Sequence, residues 1–422
     1  SIFTRDRLQH EELVWMRMIA DHAATAIVNA RAFETIKNLQ EQLDTLQTFN
    51  DFFSGIQTSG FHRTPTELAN KGRVKEQIYG SNISYQSRDR TLTLGLTALG
   101  TSYSSPIRKA GAPYQRFEFG GTQNYNIGTN YSYTWQNVYL FGETAVSKSG
   151  GVGTVNGLIA NLSNKVELAM LYRNYARHFH TFYGNAFGEA TRNINERGFY
   201  TGIKVKPLPK WEITAYYDRF RFPWLRYRVD APSQGDEYLV RLLFKPSRQG
   251  TLYAQFRTES KGLNMANNTT SIDYVAQALR RNYLLYYEFA PAKTVTLKSR
   301  VQFSSYEQES PQQTGYLIAQ DINFNWGNIR LSTRYAIFDT DSYDTRQYVY
   351  ERDVLYAFAI PAFSGRGTRL YALLQFRPLR QLDIWVKYGL THYRNQDTIG
   401  SGLETIEGPR RSDVKAQVRY KF

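Results

Sequence analysis

Asn124-Tyr125-Asn126-Ile127-Gly128-Thr129-Asn130-Tyr131-Ser132-Tyr133-Thr134-Trp135 alternates without a break. Tyr125, Ile127, Thr129, Tyr131, Tyr133 and Trp135 fall on one face. Asn124, Asn126, Gly128, Asn130, Ser132 and Thr134 fall on the other. A period of two is that of a β-strand, whose successive side chains point to opposite faces. Soluble strands usually run about five or six residues. This longer alternation matches a tilted membrane-crossing strand of roughly nine to eleven residues plus an end.

The pattern repeats on both sides of this stretch. Upstream, Tyr79, Ile83 and Tyr85 precede Leu92, Leu94, Leu96 and Ala98, with Ser87-Arg88-Asp89-Arg90 as the turn of a hairpin. Downstream, Phe199, Ile203 and Val205 oppose Tyr200, Gly202 and Lys204, and Tyr238, Val240, Leu242 and Phe244 oppose Glu237, Arg241 and Lys245. Val295–Phe303, Ile329–Ile337 and Leu370–Phe376 alternate likewise. Roughly 17 such segments follow residue 75, each bounded to within a few residues. The last, Val414-Lys415-Ala416-Gln417-Val418-Arg419-Tyr420-Lys421-Phe422, ends on an aromatic in phase with its apolar face. An ordinary soluble strand also reads this way. The aromatic end resembles the C-terminal assembly signal of bacterial outer-membrane β-barrels, which implies a signal at Val418, Tyr420 and Phe422.

The connections sort by length. Tight turns are expected at Pro207-Leu208-Pro209-Lys210, Pro246-Ser247-Arg248-Gln249, Pro291-Ala292-Lys293 and Pro378-Leu379-Arg380. Polar loops are expected at residues 176–196, 220–235, 259–278, 340–366 and 393–411. Short turns at one rim and long loops at the other are the layout of outer-membrane barrels. The predicted fold is therefore a large antiparallel outer-membrane-type β-barrel of roughly 16–18 strands, spanning residues 76–422. Such barrels usually have an even strand number. A further strand near Val354–Ala359, or strands upstream, would make the count even.

Composition agrees with this reading. The 422 residues include 32 Tyr and 25 Phe, yet mean hydropathy is only −0.51. A barrel hides its apolar residues by alternation. No run of 18 apolar residues predicts a membrane helix. The absence of cysteine excludes disulfides, thiolate metal sites and cysteine nucleophiles. No leader is seen after Ser1, although export to an outer membrane needs one, so the signal is expected to have been removed or to lie upstream.

Net charge is +15, unevenly placed. Residues 1–60 hold five Lys/Arg and eight Asp/Glu, and the first tyrosine is Tyr79. In this acidic part, Leu13, Met16, Ile19, Ala20, Ala23, Ile27, Ala30 and Phe33 recur at helical steps. Ile36, Leu39, Leu43, Leu46, Asn50 and Phe53 continue at heptad spacing, predicting a short coiled coil. Residues 1–53 are thus read as helical and 54–75 as a junction, with a helix starting at Thr64-Pro65. The run from Met18 to Arg31 resembles the last helix of GAF sensor domains, which continues into a signalling coiled coil. That implies a helix-mediated dimer through residues 13–50. The ligand-binding sheet of that family has no counterpart here.

A second resemblance covers most of residues 54–422. Gly60-Phe61-His62-Arg63-Thr64-Pro65, Tyr183-Gly184-Asn185-Ala186-Phe187-Gly188-Glu189, Arg221-Phe222-Pro223-Trp224-Leu225-Arg226-Tyr227-Arg228-Val229-Asp230-Ala231-Pro232 and Val349-Tyr350-Glu351-Arg352-Asp353 carry it. Together they resemble the C-terminal barrel of Bacteroidota envelope proteins with an N-terminal helix-hairpin-helix module. The module itself is not in this sequence, so a DNA-uptake role is implied only indirectly.

Arg219, Arg221, Trp224, Arg226, Tyr227 and Arg228 interleave cations with aromatics, a pattern that suits a polyanion, sugar or single-stranded nucleic acid. The same pattern also suits a loop anchored by its aromatics. His178 and His180 have spacing for two metal ligands, but no third ligand lies close in sequence. Asp218, Asp230, Asp236 and Glu237 are the carboxylates that hydrolytic chemistry would draw on. No nucleophile elbow, phosphate loop or dinucleotide fingerprint is present. The expectation is a non-enzymatic outer-membrane protein without metal or cofactor: a porin-like channel for polar or anionic solutes, or a surface scaffold. Its expected partners are membrane lipid and the barrel-assembly machinery. A signalling fragment carried by the GAF-like helix is the alternative.

Overall fold

The computed structural model describes residues 52–55, 62–265, 268, 270, 272–309 and 311–422. The predicted terminal helix and coiled coil over residues 1–51, and Gly60-Phe61, lie outside them. Phe53, the last heptad position, is not helical. It bridges Ile107 and packs edge-on against Tyr103, with ring centroids 5.6 Å apart. The predicted helix start at Thr64 is present. In α1 (Pro65–Asn70) the Thr64 hydroxyl accepts from the Glu67 amide at 3.1 Å, and the Glu67 carboxylate accepts from the Thr64 amide at 3.2 Å. This reciprocal cap satisfies two backbone donors that a helix start leaves open.

Strands follow in chain order: β1 (Glu76–Gln86), β2 (Leu92–Ile107), β3 (Gly121–Trp135), β4 (Val138–Ser147), β5 (Val152–Ser163), β6 (Val166–Tyr175), β7 (Glu196–Val205) and β8 (Trp211–Phe222). Next come β9 (Ser233–Ser247), β10 (Gly250–Asn264), β11 (Val275–Ala292), β12 (Val295–Glu307), β13 (Gln313–Trp326) and β14 (Ile329–Thr340). Short β15 (Gln347–Tyr348) and β16 (Ala362–Phe363) precede β17 (Arg366–Leu379) and β18 (Leu382–Tyr393). Short β19 (Thr398–Ile399) and β20 (Ile406–Glu407) precede β21 (Arg410–Tyr420). All but the four short strands join one 17-stranded sheet. Each of its strands pairs antiparallel with its sequence neighbours in the sheet, from β1 with β2 through to β18 with β21. This is the architecture of a large outer-membrane-type antiparallel barrel.

The loops sort as expected, with corrected bounds. Turns at one rim include residues 136–137 between β3 and β4 and residues 248–249 between β9 and β10, while loops at the other include 176–195, 223–232, 341–365 and 394–409. Strands intrude into several predicted loops because alternation continues through their charged residues. Phe220, Arg221 and Phe222 lie on β8, and Glu259 to Asn264 lie on β10. Pro246, Pro291 and Pro378 lie near strand ends rather than in the turns themselves. Val354–Ala359 forms no strand, and only Glu351 and Ala359 bridge there. The described sheet therefore has an odd number of strands. β1 and β21 run in the same direction, from the loop rim to the turn rim, and each pairs on one side only. The segments that lead into these two strands meet where Arg63 donates to Glu404 at 3.0 Å.

One sheet face is apolar and outward. Ile127, Ile203, Val240, Leu285, Val301, Ile318, Leu374 and Val386 are all exposed. Toward the turns this band meets Tyr133, Trp135, Phe324, Trp326, Phe376 and Tyr420, and toward the loops Phe199, Tyr217, Tyr238, Phe303 and Tyr316. A continuous apolar belt of this extent is far larger than a soluble protein leaves to water. Removing each large side chain from water contributes on the order of 2 kcal/mol. The belt with aromatic flanks is what a bilayer covers.

Candidate functional site: the lumen and its two inward loops

The inner face carries the charges. On adjacent strands Arg173, Glu196 and Asp218 meet, all buried. Arg173 Nε donates to Glu196 Oε1 at 2.5 Å, and its two terminal nitrogens donate to Asp218 at 2.8 and 3.0 Å. This is the bidentate geometry that suits a planar guanidinium. Further along, Arg257 donates to Glu237 at 2.8 and 2.6 Å, and Lys204 pairs with Glu167 at 2.5 Å. Arg334 holds Asp321 at 2.5 and 2.7 Å. At the turn rim Asp383 takes Arg377 and Arg419 at 2.6 and 2.5 Å.

Two long loops fold onto this face. The first, residues 176–195, contains the stretch Tyr183–Glu189. Tyr183 donates to Glu76 at 2.5 Å, and Tyr175 donates to the Phe187 carbonyl at 2.7 Å. The Phe187 ring packs on Tyr200 at 5.3 Å and under the Arg173 guanidinium at 5.2 Å. The amides of Glu189 and Ala190 donate to Glu196 at 2.7 and 2.9 Å. Lys261 then bridges Glu189 and Glu259.

The second loop, residues 341–365, threads Val349-Tyr350-Glu351-Arg352-Asp353 along the wall. Val349 and Phe363 are buried with Leu317, Ala319, Ala336 and Phe338. The Tyr350 carbonyl accepts from Arg334 at 2.7 Å. Glu351 accepts from Arg369 at 2.6 and 2.9 Å, and Arg352 donates to Ser332 at 2.9 Å. Asp353 takes Lys415 at 2.7 Å and Lys387 at 3.3 Å. Successive residues thus engage β14, β17, β18 and β21. Two of the family-like stretches therefore carry the contacts that seat loops inside the barrel.

Burial pushes Glu189 up to about 7; Lys261 pulls against this, and Glu259 and Glu237 add to it. Released into water, Glu189 would ionise at its ordinary value near 4.5. Docking of the loop is therefore unaffected by Glu189 below pH 4.5 and loses stability as pH rises from 4.5 to about 7. Burial lowers His180 in the same loop, so its effect has the opposite sign and weakens docking as pH falls below 6.5. Comparing wild type with E189Q cancels the histidine. Amide exchange of residues 176–195 is expected to match in the two proteins at pH 4.5. By pH 7.5 the E189Q loop is the more protected. Equal protection across the whole range would refute the assignment.

The interleaved cations and aromatics divide. Arg219 and Arg221 are exposed on the outer face of β8. Trp224 donates from Nε1 to the Pro113 carbonyl at 3.2 Å and packs edge-on against Phe117 at 5.0 Å. Arg226 lies 3.5 Å over the Phe222 ring, and Tyr227 packs on Tyr114 at 5.8 Å. Arg228 is exposed, with φ +60°. The loop is anchored by its own aromatics, and the six residues do not form one surface. His178 and His180 lie in the loop rather than on a strand end, and His180 Nε2 sits 2.8 Å from the Phe117 carbonyl.

Asp218 and Glu237 are cross-strand neighbours on the inner face, each held by an arginine. Asp236 faces outward, and Asp230 accepts from the Asp273 amide at 3.1 Å. Glu189, Glu237 and Glu259 each bring a carboxylate oxygen within 4.8 Å of the others. Arg257 and Lys261 already supply the cations there. The sequence reading missed Arg173, Glu196, Lys261 and Lys387. Their only signal was a charge on the polar face of an alternating strand.

Val418 and Tyr420 point outward from the edge strand β21, and Phe422 follows, with its ring 5.3 Å from that of Tyr420.

No family model matches the chain, and no curated protein matches it. Solved structures resemble it in strand arrangement. The copper transporter OprC aligns over 76% of this chain and 60% of its own at 11% identity, with a TM-score of 0.45. OmpT, an outer membrane protein of Vibrio cholerae, aligns over 82% and 95% at 10% identity and 0.36. OccAB3 of Acinetobacter baumannii aligns over 83% and 92% at 12% identity and 0.37. The chain thus spans less than two thirds of OprC.

Proposed function

We propose that the chain forms an outer-membrane barrel whose lumen is a conduit for polar or anionic solutes, held shut by two inward loops. The observation that carries this reading is the charge balance of the inner wall. Lys387 and Lys415 are neutralised by Glu351 and Asp353, which belong to a loop and not to the wall, and Arg369 is shared between Glu351 and Asp413 of the wall. When that loop leaves, a cationic wall remains, and such a lining favours anions. The buried carboxylate neighbours are tied to arginine or lysine, which supports a non-enzymatic role. The resemblance to the helix-hairpin-helix barrel family is part of the same reading, since two of its stretches are the loop segments that close the lumen.

The first test is whether the protein behaves as a barrel. It is expected in the outer-membrane fraction, with faster migration when unheated. The F422S variant, which removes the aromatic end of the assembly signal, is expected to lose most of the shifted band. A soluble wild-type protein would overturn the membrane reading. In planar bilayers the wild type is expected to conduct little.

A further inference from the structure

We propose that Arg197, Arg219 and Arg221 form a binding site for the phosphate groups of a lipid in the outer leaflet of the membrane. The inference rests on the membrane reading above. All three side chains are exposed on the outer face of β7 and β8, at the loop rim. Arg197 stands directly opposite Arg221, and Phe199 directly opposite Arg219. Arg219 is therefore the diagonal neighbour of Arg197, about 7–8 Å away for such positions.

Like charges directly opposite on neighbouring strands are unfavourable unless an anion sits between them. Among the described residues none of the three has an ion-pair partner. Gln234 faces Arg221, and Asp236 faces Arg219 without forming an ion pair. Two other outward arginines on this rim are answered. Arg281 reaches Glu307 at 3.7 Å, and Arg366 reaches Asp339 at 2.7 Å.

Depth decides the kind of anion. Tyr172, Phe199, Tyr217 and Tyr238 are 39–45% exposed on the same outer face, at or just below the arginines. Ile203, Val240 and Leu242 continue the surface toward the turns. Aromatic side chains of this kind lie at headgroup level. Guanidinium groups just above them meet phosphate in the forked geometry that arginine offers. A ligand filling this surface has acyl chains along the aromatic and aliphatic side chains and phosphate at the arginines. Free phosphate or nucleic acid would leave the apolar part uncovered.

The test titrates detergent-purified protein with bis-phosphorylated lipid A and counts bound lipid by native mass spectrometry. The R197Q/R219Q/R221Q variant is expected to bind about tenfold more weakly or worse. The R281Q/R366Q variant keeps wild-type binding, and dephosphorylated lipid A binds wild type no better than it binds the triple variant. The unheated gel shift shows that each variant is folded. Wild-type affinity in the folded triple variant overturns the site, as does equal binding of the dephosphorylated lipid. Displacement of the lipid by millimolar inorganic phosphate overturns the lipid assignment. A wild type that never enters bilayers refutes the membrane reading instead.

Discussion

Replacing Arg173 with methionine destabilises the barrel by about 3–5 kcal/mol. The side chain is fully buried, as is Glu196, and Asp218 is nearly so. Methionine fills much of the space but leaves two carboxylates facing each other without their cation. The cost is that of an uncompensated buried charge and exceeds the net worth of the intact cluster. Urea unfolding followed by tryptophan fluorescence, with the temperature at which the gel shift is lost, reads it directly. Combining R173M with E196Q and D218N removes the stranded charges and is expected to recover most of the loss. Only one of the two Glu196 contacts to the Glu189 and Ala190 amides survives in that variant, because the amides use different carboxylate oxygens and glutamine keeps a single accepting oxygen. Gly198 gives an independent check. It sits across from Arg173, and a Cβ there would collide with the guanidinium. G198A is expected to reproduce part of the R173M effect. An R173M protein as stable as wild type would mean that the cluster contributes nothing.

Replacing Glu351 and Asp353 together with glutamine and asparagine releases the second loop and opens the lumen. The wild-type carboxylates hold Arg369, Lys387 and Lys415, and Lys387 is only 1% exposed. Without them the cations repel one another, and the loop keeps its apolar contacts at Val349 and Phe363 and the hydrogen bonds of Tyr350 and Arg352. Stability falls by on the order of 3 kcal/mol, the cost of breaking a buried pair. Conductance in planar bilayers rises, and the reversal potential in a salt gradient moves toward that of the anion. Raising ionic strength reduces the anion preference, because exposed wall charges are screened over about 10 Å at 0.1 M salt. Unchanged conductance and selectivity in a variant that still inserts would count decisively against the plugged-conduit reading.

Much of the barrel was legible because its signal is local. Alternation of Tyr125 to Trp135 needs no knowledge of the partner strand, and the outer face follows from the period alone. Loop sorting was legible for the same reason, although bounds slipped wherever charged residues kept the alternation going, as at Arg221 and Lys261. The candidate site was not legible. Arg173 and Asp218 are separated by 45 residues, and Lys415 and Asp353 by 62. Which carboxylate answers which cation is set by strand register and by loops returning over the inner face. Local alternation fixes the strands, their two faces and the rim to which each connection belongs, since each depends on neighbouring side chains along the chain. Pairing of the inner charges and the folding of two loops onto the inner face are set by contacts between distant parts of the chain, which local alternation does not contain. The absence of an ion pair to Arg197, Arg219 and Arg221 among the described residues has the same origin, because pairing depends on distances between residues far apart in the chain.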